Sequence, residues 1–196
     1  GFGNITTGRT VQDYDEDLIR NRGLVRVRTS ITDSNFQNLD QSFGTQHVEV
    51  TFDNDQTDGQ VLSADGTGAT TSNDGFGYRT TGTIDQDYVV IQGVARLSRT
   101  ETHTQTFDTL DDTPLISDDH LVNDQTLVVI NHYDDVGRLI GATGTGSFTS
   151  HGGYDRNGTP NDSSDDIVWD TTTGQIEQIY IVVNGTSRLA SSHTRT

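Results

Sequence analysis

The residues best placed to do chemistry are oxygen donors crowded into short loops. Asp155-Arg156-Asn157-Gly158-Thr159-Pro160-Asn161-Asp162-Ser163-Ser164-Asp165-Asp166 sets Asp155, Asn157 and Thr159 at alternate positions, then adds Asn161, Asp162, Asp165 and Asp166. A hard cation such as Ca²⁺ takes about six to eight oxygen ligands, and a glycine lets the backbone bend tightly around it. This loop is therefore the expected calcium site. Its twelfth position is Asp166 where an EF-hand carries Glu, and no helical pattern flanks it, so the site would be an irregular loop between strands. Asp53, Asp55 and Asp58, with Asn54 and Gly59, form a second candidate, although Asx-rich turns have this composition for conformational reasons alone. Asp111-Asp112 and Asp118-Asp119, on either side of Pro114, could complete a site drawn from several loops.

Other chemistries lack their residues. There is no Cys, hence no disulfide, thiolate ligand or thiol nucleophile. The histidines His47, His103, His120, His132, His151 and His193 form no zinc spacing, and no Glu accompanies them as in a zinc hydrolase. Gly144-Thr145-Gly146-Ser147-Phe148 is neither a nucleophile elbow nor a phosphate loop. Asp pairs suit glycoside hydrolysis, but Asp is too abundant here to single out a pair, and Trp169 is the one tryptophan available to stack on a sugar. No catalytic residue is expected.

The elements around these loops read as strands. The chain has 25 Asp against 4 Glu, 21 Gly, 12 Arg and no Lys. Glu favours helices, whereas Asp competes for backbone hydrogen bonds and settles in turns. Leu24 to Ile31 and His47 to Phe52 alternate apolar and polar residues with the period of two of a half-buried strand. No segment carries helical apolar spacing beyond a turn or two at Asp13 to Asn21.

The strongest pattern is internal. Residues 80–102 reappear as residues 172–194, with 11 identities in 23 positions, including Tyr88/Tyr180, Gly93/Gly185 and Arg96-Leu97/Arg188-Leu189. Gln92-Gly93 and Asn184-Gly185 sit where a two-residue hairpin needs positive φ. Tyr88 to Ile91 and Tyr180 to Val183 are apolar at every position, which predicts strands covered on both faces. The expectation is an all-β sandwich or barrel of antiparallel strands built from two related halves, about 23–110 and 111–196, preceded by an extended arm over residues 1–22. Tyr133-Asp134-Asp135-Val136-Gly137-Arg138-Leu139 and Tyr154-Asp155-Arg156-Asn157-Gly158 read as two further hairpins. They resemble the tyrosine-aspartate repeats of secreted bacterial shell and adhesion proteins. The likeness spans those two hairpins, and it is treated as convergent turn chemistry.

A net charge of −17 makes nucleic acid and anionic membrane surfaces poor partners and invites divalent cations as counter-charge. It also fits a saline habitat. No apolar run approaches the roughly 20 residues that span a bilayer, and the chain is expected to be a processed extracellular product. The expected function is a structural or adhesive subunit that associates with itself through its N-terminal arm, carrying Phe2, Ile5 and Val11, and through sheet edges. The alternative is a secreted barrel holding a small ligand or glycan.

Overall fold

The computed structural model describes residues 3–108, 121–154 and 167–196. They form one antiparallel sheet in which ten strands lie side by side in chain order. The strands are β1 (Ile5–Tyr14), β2 (Val27–Gln37), β3 (Phe43–Asn54), β4 (Val61–Asn73) and β5 (Tyr78–Ile91), followed by β6 (Val94–Asp108), β7 (Leu121–Tyr133), β8 (Leu139–Tyr154), β9 (Ile167–Val183) and β10 (Thr186–Arg195). β1 and β10 do not pair, so the sheet is open, and among the described residues no second sheet lies on either face. This corrects the expected sandwich or barrel. Period-two patterning says which side of a strand is sheltered, but it carries no information on whether a sheet closes or stacks.

The expected arm is also corrected. Residues 5–14 are β1, paired with β2 from Ile5↔Gln37 to Tyr14↔Val27. Ile5 and Val11 are thus already strand residues of their own sheet, while Phe2 lies outside the described residues. The helix α1 (Glu16–Arg22) follows, with Asp15 as its N-cap and Gly23 closing it at φ 69°. Glu16 and Asp17 in the first turn, and Arg20 and Arg22 in the last, oppose the helix dipole. Leu18 of this helix is 0% exposed and is the one large side chain fully buried among the described residues.

The rest of the buried apolar set is small: Ala64, Ile84, Phe107 and Ala142. Such a list follows from a single layer: β3, β4, β5 and β9 shelter alternate residues, whereas β6 and β7 are half-buried along most of their length on both faces. β9 shows the consequence. Ile176, Gln178, Tyr180 and Val182 are half-buried, whereas Ile179 and Ile181 on the other face are each 53% exposed. The apolar runs in β5 and β9 are therefore not covered on both sides. No helix among the described residues is long and apolar enough to cross a membrane.

Candidate functional site

The principal calcium candidate, Asp155, Asn157, Thr159, Asn161, Asp162, Asp165 and Asp166, lies outside the described residues, as do Asp111, Asp112, Asp118 and Asp119. The second candidate is the β3–β4 turn, and its geometry accounts for its acids. The Asp55 carboxylate accepts from the amides of Thr57 (2.6 Å) and Asp58 (3.3 Å). Asp58 accepts from the amide of Gln60 (2.9 Å) and from its side chain (3.0 Å). Asp53 sits at the end of β3 and is exposed. The three carboxylates do not converge, and among the described residues no group of three or more acids and histidines could hold a metal ion.

The same device closes other turns. Asp74 accepts from the amides of Phe76 and Tyr78, Asp40 from the amide and hydroxyl of Ser42. Asp134 accepts from the amides of Arg138 (2.8 Å) and Val136 (3.1 Å) and from Arg138 Nε (2.7 Å). Glu would overshoot these short loops, which explains why Asp dominates. The hydrogen bonds hold the carboxyls of Asp40, Asp55, Asp74 and Asp134 below the ordinary range. For Asp134 the Arg138 amide is the main cause.

A group whose folded pKa is depressed stabilises above its unfolded value near 3.8, and that contribution disappears as pH falls through the folded value. Asp134→Ala should therefore be less stable than the parent at neutral pH, with the gap shrinking as pH drops below about 4. Urea unfolding at several pH values measures this; a gap that stays constant into acid would contradict it.

The two sheet faces differ in chemistry. One carries the charges. His47 Nδ1 meets Asp33 Oδ1 at 2.7 Å, and His103 Nε2 meets Asp124 Oδ1 at 3.0 Å, with Gln105 donating to the other Asp124 oxygen. Burial pulls Asp124 upward, but the bonds from Gln105 and His103 outweigh it and hold the carboxyl low. Asp65 sits directly opposite Asp87, and Asp85 opposite Glu101. Arg99 bridges Asp87 and Glu101. Like charges set cross-strand oppose the sheet, and salt relieves them.

The other face, sheltered on the interior strands and exposed on β1 and β10, carries Gly8, Gly44, Gly66, Gly68, Gly82, Gly144, Gly146 and Gly174. Neighbours lean over these gaps. An added Cβ would meet the Phe36 ring at Gly44 and the Phe148 ring at Gly174, each at 2.4 Å. Across this face one row runs Val48, Gly68, Ile84, Thr102 on β3 to β6 and Leu127, Gly146, Ile176, Thr194 on β7 to β10. The next runs Val50, Gly66, Gln86, Thr100, then Val129, Gly144, Gln178, Ser192.

Both hairpins of the internal match turn through two residues of positive φ: Gln92 (52°) and Gly93 (75°), Asn184 (51°) and Gly185 (76°). Tyr88 pairs with Leu97 and Tyr180 with Leu189, and a bulge follows at Ser98 and at Ala190. The tyrosine hydroxyls donate to Gln86 and Gln178, two residues back. β1 and β2 repeat this arrangement: Tyr14 pairs with Val27, and Arg28 is the bulged residue. The signal was present in the chain as Thr-Thr-Gly-x-x-x-Gln-x-Tyr, beginning at Thr6, Thr80 and Thr172. Its third instance is short, and α1 replaces the two-residue turn that marks the others.

The fold and this site define an open, single-layer β protein whose distinctive surfaces are its glycine face and its two free edges. No family model matches the chain, and neither the curated proteins nor the solved structures yield a match.

Proposed function

We propose that the chain is a structural or adhesive subunit of an extracellular assembly, made from a four-strand unit duplicated along one sheet and lengthened by strands added at its edges. The observation that carries this reading is the open sheet, with β1 and β10 each presenting an edge unpaired among the described residues. An unpaired edge is a row of free donors and acceptors, which soluble proteins guard with Lys, Pro or covering loops. Here there is no Lys, and the two prolines, Pro114 and Pro160, lie outside the described residues. The duplicated unit is β3 to β6 and β7 to β10, with β1 and β2 matching its last two strands. On this reading the boundary of the halves falls between β6 and β7.

Copies of the chain are the simplest partners for these edges. Calcium is proposed at Asp155 to Asp166, where it would lower the repulsion between subunits of charge −17. Sedimentation velocity of the purified chain should show association that grows with concentration and is stronger in millimolar Ca²⁺ than in chelator at equal ionic strength. A single 21.4 kDa species at every concentration and in both buffers would overturn the self-association.

A further inference from the structure

The edge strands are not interchangeable, and their place in the row pattern states which strand each would accept. β10 occupies the position of β2 and β6: Thr194 and Ser192 stand where Thr32 and Ser30, and Thr102 and Thr100, stand on the glycine face. On β2 the second edge is taken by β3, which sets Val48 against Thr32 and Val50 against Ser30. On β6 it is taken by β7, which sets Leu127 against Thr102 and Val129 against Thr100. On β10 that edge is open.

The charged face at these junctions adds a second, independent mark. The residue after the threonine is Asp33 on β2 and His103 on β6, and each pairs with an opposite partner on the incoming strand, His47 and Asp124 respectively. On β10 the corresponding residue is Arg195. Arg195 makes no ion pair among the described residues, and with His193 it lines a depression that extends inward over β9 and β8 to Gln175, Glu177 and Thr145.

We propose that the outer edge of β10 is a docking edge for an added strand of β7 chemistry, with alternate Leu and Val on the glycine face and a carboxylate where Asp124 stands, diagonal to Arg195 as Asp124 is to His103. This rests on the duplicated-unit reading above. Among the described residues a second copy offers the edges of β1 and β10, not a strand of this kind, so this docking is a separate event from pairing between copies.

The probe is a labelled peptide of residues 121–133, titrated into the whole chain and followed by fluorescence anisotropy. Saturable one-to-one binding is expected, with amide protection appearing on β10 and not on β1. Arg195→Asp should weaken binding by about threefold or more, and a peptide carrying Asp124→Arg should recover it on that variant. Recovery also shows that the variant is folded. No saturable binding, equal binding of a residue 139–151 peptide from β8, protection on β1, or indifference to the charge swap would each overturn the assignment. A chain that self-associates yet ignores the peptide refutes this inference and leaves the assembly reading intact. A chain that binds the peptide but stays monomeric supports the inference and refutes self-association.

Discussion

Replacing Gly146 with alanine is expected to cost about 3 kcal/mol of stability or more, while the same change at Gly8 costs little. A Cβ at Gly146 would lie 2.4 Å from the Thr126 carbonyl oxygen and 3.2 Å from the Leu127 Cα. Both are backbone atoms of the adjacent strand β7, and they cannot rotate away as a side chain would. Gly68, in the equivalent place on β4, meets the His47 carbonyl oxygen at the same 2.4 Å. Ordinary overpacking costs about 1–3 kcal/mol. A clash with backbone in the middle of a sheet should reach or exceed the upper end, a large part of the roughly 5–15 kcal/mol that holds a domain folded. At Gly8 the nearest contact is the Asp33 carbonyl oxygen at 3.7 Å, ordinary van der Waals distance. There alanine should change stability by less than about 1 kcal/mol. Denaturant midpoints of Gly8→Ala, Gly68→Ala and Gly146→Ala decide it; equal midpoints for Gly8→Ala and Gly146→Ala would show that the strand spacing described here is wrong.

Leu18→Ala is expected to cost about 2–5 kcal/mol. Leu18 is fully buried in a molecule whose other buried apolar side chains are few, so its cavity has little neighbouring mass able to collapse into it. The helix that carries it is only seven residues long and cannot persist on its own. Its first turn is tied to the sheet through Asp15, which accepts from the Gln56 side chain at 2.9 Å and from the Leu18 amide at 3.1 Å. Losing Leu18 should therefore free α1 together with the β3–β4 turn. Amide exchange in the Leu18→Ala protein should quicken at residues 15–24 and 54–60 before it does at β7 to β9. Uniform quickening along the whole chain would mean that the helix is not a separate local unit.

Strand content was legible in the chain because alternation and turn residues are local signals. The Gln92-Gly93 and Asn184-Gly185 turns have the positive φ values that their residues imply. His47 to Phe52 is a strand with Val48, Val50 and Phe52 on its sheltered side. Closure was not legible, since an open and a closed meander bury the same alternate positions. Ile179 and Ile181 show the cost of that ambiguity: apolar residues on both faces imply two covers, yet one face of β9 meets water. The third occurrence of the hairpin was hidden because Tyr14 is followed by a helix instead of a turn. It became visible only when Tyr14↔Val27 and Tyr88↔Leu97 proved to precede the same bulge. The acids of the β3–β4 turn were ambiguous for a different reason. Asp55 and Asp58 present the oxygens that a cation would need, and in the folded chain those oxygens accept from backbone amides and Gln60.

The central claim, that the open sheet is lengthened at its edges, is tested most directly by amide hydrogen exchange on the chain at low and at high concentration with millimolar Ca²⁺. Edge-strand amides that point away from the sheet exchange freely until another strand accepts from them. On association the new protection should appear in β1 or β10 and leave β3 to β8 unchanged. Protection that appears instead across alternate positions of several interior strands would mean that the subunits stack face to face, and would contradict the account.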